Sequence, residues 1–268
     1  MSKGLARVRG IEMAYDDTGG KGAALVLLHG FPFDRSMWRG QAAALGGEFR
    51  VVAPDLRGMG ETPLGNGAVT MEVLAEDVSA LLGELNLGRV VMGGLSMGGY
   101  VAFEFVRKFP ERVRALVLAD TRPQADTEEG RRAREENAQR ALKEGMVPIV
   151  ESMLPKLLAA ETRERGGEVL ERVREMMLGT SPEGAAAALR AMAGRRNQAE
   201  LLPSIKVPTL IIVGDEDSIT PPSDAEAMSA KIEGSRLFII ESAGHLSNVE
   251  RPEEFNRALV EFLRALPA

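Results

Sequence analysis

The sequence predicts an α/β fold: a mostly parallel, eight-stranded sheet flanked by helices, with a helical insertion after the sixth strand. Over the first two-thirds of the chain, short apolar runs alternate with amphipathic stretches, which is typical of βαβ units. The runs are almost continuously apolar, as in strands that are buried on both faces. Between residues 122 and 200 the rhythm changes, and no strand-like run occurs there.

The elements follow in a regular order. Two segments of alternating polarity, Leu5–Arg9 and Ile11–Tyr15, predict an opening antiparallel hairpin. Six further strands are predicted over residues 24–29, 50–54, 89–95, 114–120, 208–214 and 235–241. Helices are predicted over Ser36–Leu45, Met71–Leu85, Met97–Phe109, Pro222–Ile232 and Pro252–Leu266. The third of these ends before Pro110, because proline cannot continue a helix.

The segment 122–200 is expected to form about four helices, since charges of both signs recur there at helical spacing. One helix should begin at Ser181-Pro182, which offers a capping hydroxyl and a proline in the first turn. The segment holds too few apolar residues for an independent core. We therefore predict a sheet-bearing core formed by residues 1–121 and 201–268, with residues 122–200 as a helical lid on the sheet.

Length and composition limit the class of protein. A chain of 268 residues with 44% hydrophobic and 27% charged residues is that of one globular domain with an insertion. A net charge of −6 argues against a nucleic-acid partner. The absence of cysteine excludes disulfides and a thiol nucleophile. With no signal-peptide run at the N-terminus and no apolar stretch of membrane-spanning length, we expect no membrane association and a cytoplasmic location.

Ser96 is the candidate nucleophile. It lies in GGLSMGG (93–99), where a predicted strand ends and a helix begins. A serine on so sharp a turn has strained backbone angles, and its neighbours at i−2 and i+2 crowd together. Glycine at 94 and 98 removes that clash. The helix that follows directs its free N–H groups towards the same place.

His245 is the candidate general base. The chain has two histidines, His29 and His245, and a serine hydroxyl needs a base that titrates near neutral pH. His245 follows the last predicted strand, which places it at the carboxyl edge of the sheet beside Ser96. His29 ends another strand in LLHGFPFD, and we expect it to brace that loop.

The loop after His29 also supplies a candidate oxyanion hole. Phe31 should lie at the same carboxyl edge as Met97, the residue after the serine. The backbone N–H groups of Phe31 and Met97 could then hold the negative charge that develops on a carbonyl oxygen.

The orienting acid is less sharply defined. VGDEDSITPP offers Asp215, Glu216 and Asp217 just past a strand. Asp217 is preferred, because Asp215 is close enough to the strand end to bind turn amides. Asp120, at the end of an earlier strand, is the alternative.

The motifs HGFP, PDLRGMGET, GGLSMGG, GDEDSITPP and AGHLSNVERPEEF occur in the order of the α/β-hydrolase superfamily, which this chain resembles over nearly all of its length outside the insertion. More narrowly, it resembles small bacterial carboxylesterases grouped with 3-oxoadipate enol-lactonases and cofactor-free haloperoxidase-like perhydrolases. The resemblance implies Ser96, Asp217 and His245 as nucleophile, acid and base, and Phe31 and Met97 as oxyanion donors. A GxxD pattern in that family supports Asp217.

Apolar side chains are the candidate substrate contacts. Five of the 13 methionines fall in the insertion, and methionine lines adaptable apolar pockets. The candidates are Met146, Met153 and Met177, together with the ring of Phe31.

These residues predict a carboxylic ester hydrolase that acts on short to medium acyl esters through an acyl-enzyme. The expected partner is a small-molecule ester, with no metal and no organic cofactor, since His and carboxylate residues do not cluster at ligand spacing. Enol-lactone hydrolysis or perhydrolysis on the same three residues is an alternative. A ligand sensor built on the same fold is a further alternative from another class.

Overall fold

A single eight-stranded sheet forms the centre of the molecule. The computed structural model describes residues 1–20 and 22–267. The strand order is β1-β2-β4-β3-β5-β6-β7-β8. β1 and β2 are antiparallel, β2 also pairs antiparallel with β4, and all other neighbours are parallel. The strands are β1 Ser2–Val8, β2 Ile11–Asp17, β3 Ala24–Leu28, β4 Arg50–Pro54, β5 Val90–Leu95, β6 Val113–Ala119, β7 Thr209–Gly214 and β8 Arg236–Ile240.

Helices cover both faces of this sheet. They are α1 Arg39–Leu45, α2 Met71–Glu84, α3 Met97–Lys108, α9 Pro222–Ser229, α10 Ser247–Glu250 and α11 Pro252–Arg264. Along β3, Val26 and Leu28 enter the core under α2, α3 and α9, while Leu25 and Leu27 enter the core under α1 and α11. Every β3 position from 25 to 28 is therefore buried, which is why the strand is continuously apolar.

The predicted fold is confirmed, and most predicted element ends agree with the observed ones to within one or two residues. The predicted helix Pro222–Ile232 ends earlier, at Ser229. Among the described residues, no helix is both long enough and apolar enough to cross a membrane.

Between residues 122 and 200 the structure has five α-helices, one more than the sequence indicated. They are α4 Glu128–Glu144, α5 Val147–Leu157, α6 Ala160–Arg165, α7 Glu168–Leu178 and α8 Pro182–Ala193. Gly166 and Gly167, both at positive φ, separate the short α6 from α7. Leu158 is extended and separates α5 from α6. The predicted start of α8 is confirmed, since the Ser181 hydroxyl accepts the N–H of Gly184.

The two chain segments that join this insertion (residues 122–200) to the sheet are held together by Arg195. Its buried guanidinium donates to the Gln124 carbonyl and forms a 2.8 Å ion pair with Asp126. It also lies 4.2 Å from the centre of the Tyr100 ring on α3. The base of the insertion is therefore anchored to the helix that begins at Met97.

Candidate active site

Ser96 occupies the sharp turn between β5 and α3. Its φ of +53° lies in the left-handed region that residues other than glycine seldom adopt. Two bonds from the end of β6 hold it there: its N–H donates to the Ala119 carbonyl at 3.0 Å, and its own carbonyl accepts the Thr121 hydroxyl at 2.8 Å. The serine is 9% exposed, so the turn presents its hydroxyl at a nearly closed site.

The glycines around Ser96 are required by close approach of the backbone. A Cβ on Gly94 would lie 2.2 Å from the Gly98 carbonyl oxygen. A Cβ on Gly98 would lie 2.1 Å from the Leu28 carbonyl oxygen on β3. The crowding expected from the sequence is therefore present, and it extends to the neighbouring strand.

His245 lies between Ser96 and Asp217. Its Nε2 is 2.8 Å from the Ser96 Oγ, and its Nδ1 is 2.8 Å from the Asp217 Oδ2. A carboxylate can only accept, so Nδ1 carries the proton and Nε2 is free to accept from the serine hydroxyl. The histidine and the aspartate are each 2% exposed.

Asp217 accepts hydrogen bonds with both carboxylate oxygens. Oδ1 accepts from the N–H groups of Ile219 and Thr220 at 2.8 and 3.0 Å. Oδ2 accepts from the Thr220 hydroxyl at 2.7 Å as well as from His245. Burial opposes ionisation, but the electrostatic interaction and hydrogen bond with His245 and the Thr220 donors outweigh it, and the pKa of Asp217 lies below its usual range.

The other candidate acids have different partners. The Asp215 carboxylate accepts the Ala243 N–H at 3.3 Å, and its side chain is exposed. Asp120 is fully buried and contacts the Gly214 N–H at 2.9 Å and the Ser247 hydroxyl at 2.5 Å. Burial, followed by the negative charge of Asp217, raises the pKa of Asp120 well above its usual range. Asp217 is thus the one of these three carboxyl groups that is bonded to His245.

The loop after β3 is held by His29, as expected. Its Nε2 accepts the Leu56 N–H at 3.0 Å, so its Nδ1 carries the proton and donates to the Gly30 carbonyl at 2.9 Å. Burial lowers the pKa of His29 against the opposing charge of Asp55. A neutral ring with both nitrogens bonded leaves His29 no free lone pair with which to act as a base.

Phe31 and Met97 are both buried, and they lie on the loop after β3 and at the first position of α3. In the described chain, neither backbone N–H donates to a protein acceptor. A Cβ on Gly30 would be 3.4 Å from the Ser96 Cβ, so the loop that carries Phe31 directly adjoins the serine. Their role as oxyanion donors stays a prediction.

The three methionines among the predicted substrate contacts lie in the insertion and are largely buried, whereas Phe31 lies on the loop after β3. Met146 immediately precedes α5 and is 5% exposed, Met153 lies on α5, and Met177 lies on α7 with no exposed area. All three pack among apolar residues, and their contact with a substrate also stays a prediction. Within the described residues there is no group of three or more His, Asp or Glu side chains arranged to hold a metal ion.

Sequence reasoning did not single out three hydroxyl groups that support the site. Thr121 binds the Ser96 carbonyl, Thr220 binds Asp217, and Ser247 binds Asp120. Thr220 stands three residues after the acid, a spacing typical of a local side-chain turn. Thr121 and Ser247 carry no such local signal, because their partners lie 25 and 127 residues away along the chain.

The sheet is mostly parallel and eight-stranded, and a serine lies on a strand-to-helix turn at its carboxyl edge. The serine is bonded to a histidine, which is bonded to an acid. This is the arrangement of an α/β hydrolase. The sequence profile of the alpha/beta hydrolase fold matches residues 23–252, and the chain belongs to this family.

Its relatives include esterases and enol-lactonases. A thermophilic esterase from Thermogutta terrifontis superimposes with a TM-score of 0.96 at 43% identity, with all of both chains covered. The enol-lactonase from Burkholderia xenovorans LB400 gives a TM-score of 0.91 at 32% identity, over 97% of this chain and 100% of that one. The 3-oxoadipate enol-lactonase 1 of Acinetobacter baylyi is 31% identical over 91% of this chain and 89% of its own length.

Proposed function

We propose that this chain is a serine hydrolase that cleaves carboxylic esters of short to medium acyl length through an acyl-enzyme. The observation that carries the proposal is the continuous hydrogen-bonded chain from Ser96 through His245 to Asp217, with both links at 2.8 Å. Such a chain provides a hydroxyl nucleophile, a base for its proton and a carboxylate that holds the base in the required tautomer.

In the first half of the reaction, the Ser96 Oγ attacks the ester carbonyl carbon while the His245 Nε2 takes the hydroxyl proton. The carbonyl oxygen becomes an oxyanion, and the N–H groups of Phe31 and Met97 hold it. Each such donor contributes about 10²–10³ in rate. The ionised Asp217, whose pKa is lowered, stabilises the imidazolium. The imidazolium then returns its proton to the leaving alcohol, which leaves an acyl group on Ser96.

In the second half, His245 takes a proton from water as the water oxygen attacks the acyl-enzyme. A second oxyanion forms in the same place and collapses. The carboxylic acid leaves, and the proton returns to the Ser96 oxygen. The ester and one water are the two reactants, and they balance the acid and the alcohol that are released.

We further propose that the insertion acts as a lid. Its support is the low exposure of Ser96, His245 and Asp217, together with a hydrogen bond from the N–H of Leu246, the residue after the histidine, to the Leu157 carbonyl at the end of α5. Under such a lid, Phe31, Met146, Met153 and Met177 would contact the acyl or alcohol part of the substrate.

The test is turnover of a p-nitrophenyl ester series from acetate upwards, with Ser96→Ala as the control. We expect multiple turnovers on acetate and butyrate and their loss in the variant. If the wild-type protein does not turn over either ester, ester hydrolysis is excluded. A single near-stoichiometric burst without turnover supports the ligand-sensor alternative, and activity that survives Ser96→Ala contradicts the assigned nucleophile.

Lactone ring opening on the same residues is a second candidate, because two of the compared relatives carry the name enol-lactonase. A lactone is a cyclic ester, so the same attack opens the ring while the alcohol stays attached to the acid. Comparison of kcat/KM for an enol-lactone with that for p-nitrophenyl butyrate separates the two activities. A peracid-formation assay with hydrogen peroxide tests the perhydrolase alternative in the same series.

A further inference from the structure

The connection between α5 and α6 (residues 157–160) lies against both loops that carry the proposed base and acid. The Leu157 carbonyl accepts the N–H of Leu246, the residue after the base, at 3.2 Å. The N–H of Ala160 donates to the carboxylate of Glu216, the residue before the acid, at 2.8 Å. One short piece of the insertion therefore contacts neighbours of both catalytic side chains.

The two carboxylate oxygens of Glu250 join this connection to the loop that carries His245 (residues 241–246, the base loop). Oε1 accepts the N–H of Gly244, the residue before the base, at 2.7 Å. Oε2 accepts the N–H of Ala159 at 2.9 Å. The two backbones are also in direct contact, since a Cβ on Gly244 would lie 2.7 Å from the Ala159 nitrogen. The carboxylate thus bridges the base loop and the insertion.

Two simultaneous N–H donors, one on each oxygen, suit an ionised carboxylate. Burial raises the pKa of Glu250, and the donors from Thr162, Ala159 and Gly244 and the charge of Arg251 act against that rise. An amide in the same place has a single acceptor oxygen, and its NH₂ group would face one of the two N–H donors.

We propose that Glu250 is a positioning residue that couples the insertion to the orientation of His245. The N–H groups on both sides of the histidine end on the same connection: that of Gly244 through Glu250, and that of Leu246 directly. A shift of the connection therefore moves the imidazole relative to the serine oxygen. The inference rests on the proposed ester hydrolysis, in which His245 is the base.

The first test is Glu250→Gln, which keeps the size of the side chain and removes one of the two acceptors. We expect kcat to fall between about 10- and 100-fold, the scale of a small misplacement of a catalytic group, with KM changed less than about twofold. The rate of Ser96 labelling by a fluorophosphonate should fall by the same factor. Labelling depends on the serine and its base but on no particular substrate.

The second test approaches the same bond from the insertion. Ala159→Pro removes the donor, and the backbone angles there suit proline, because φ is −58° at Ala159 and the preceding Leu158 is extended. The ring takes the place of the N–H that meets Glu250 Oε2 at 2.9 Å, so the carboxylate must also move away. We expect a similar loss in kcat. Since both changes break one bridge, the double variant should lose little more than the more damaged single variant.

Glu161→Gln, on α6 directly after the connection, is the matched control. Glu161 pairs with Arg251 at 3.1 Å on the exposed side, and its loss should leave kcat and labelling unchanged. A wild-type kcat in Glu250→Gln overturns the inference. It is also overturned if the fold-loss in kcat of the double variant equals the product of the losses in the two single variants. If Glu250→Gln fails to fold, Ala159→Pro alone decides, and wild-type kcat in that variant overturns the inference. If the wild-type protein is labelled by the fluorophosphonate but hydrolyses no ester, the proposed function alone is wrong. If it is neither labelled nor hydrolyses an ester, both the proposed function and the inference are wrong.

Discussion

Replacing Asp217 by asparagine should leave His245 in the tautomer that cannot accept the serine proton. Oδ1 accepts two backbone N–H groups, from Ile219 and Thr220, so the amide oxygen must take that place. The NH₂ group then occupies the position of Oδ2, 2.8 Å from the His245 Nδ1. Nδ1 must become the acceptor, the proton moves to Nε2, and the lone pair that faced the Ser96 Oγ is lost.

The expected loss in kcat is about 10⁴-fold, the effect of the same change in a serine protease triad. It corresponds to about 5 kcal/mol in activation free energy. The assay is steady-state hydrolysis of p-nitrophenyl butyrate, with KM expected to change little because the group does not contact the ester. Titration of the active site with a fluorophosphonate should show a parallel fall in labelling rate.

Asp215→Asn is the matched control for this prediction, because Asp215 is exposed and its carboxylate accepts the Ala243 N–H at 3.3 Å and does not meet His245. Its kcat should stay within about threefold of wild type, as expected for a change in an exposed side chain that does not bond to His245. The reasoning is refuted if Asp217→Asn keeps more than about a tenth of wild-type kcat. A loss of less than about tenfold is far smaller than the loss caused by removing a member of such a triad. A loss in kcat of more than about threefold in Asp215→Asn would also refute it.

Two further predictions concern the turn and the second buried acid. Gly98→Ala places a methyl group 2.1 Å from the Leu28 carbonyl oxygen, so kcat/KM should fall by at least about 10²-fold. Gly83→Ala on α2 meets nothing within 4 Å and should keep full activity and stabilise the fold by about 0.5–1 kcal/mol. Burial raises the pKa of Asp120, so its contribution to stability is present at low pH and is lost as pH rises from about 4, the ordinary carboxyl value, towards the raised one. The free energy of unfolding of Asp120→Asn relative to wild type, measured in urea across that range, should therefore increase with pH; a constant difference would show that Asp120 does not titrate in this way.

Local patterns were sufficient to predict the sheet and the turn at Ser96. An apolar strand, a glycine on each side of a serine and an amphipathic helix lie within about twenty residues of sequence, and each depends on short-range sterics or on burial of a face. The choice of the base was limited to two candidates, because the sequence contains two histidines. Helix boundaries in the insertion were less certain, because the break between α6 and α7 depends on two glycines inside a polar stretch.

Which side chains meet was decided by the tertiary structure. From the sequence, Asp120 and Asp215 were alternatives to Asp217, because all three follow strands that end at one edge of the sheet. Only the packed loops show that Asp217 bonds to His245 while Asp120 holds Gly214 and Ser247. The bridge from Glu250 to Ala159 spans 91 residues and has no local pattern.

By itself, the sequence therefore determined the strands, the helices outside the insertion and the residue types that could carry the chemistry, since those follow from local backbone preference and from which surfaces must be buried. The tertiary structure alone decided the partners. Ser96 and His245 are 149 residues apart, and His245 and Asp217 are 28 apart. They come together because the order of β5, β6, β7 and β8 in the sheet places the loops that follow these strands side by side.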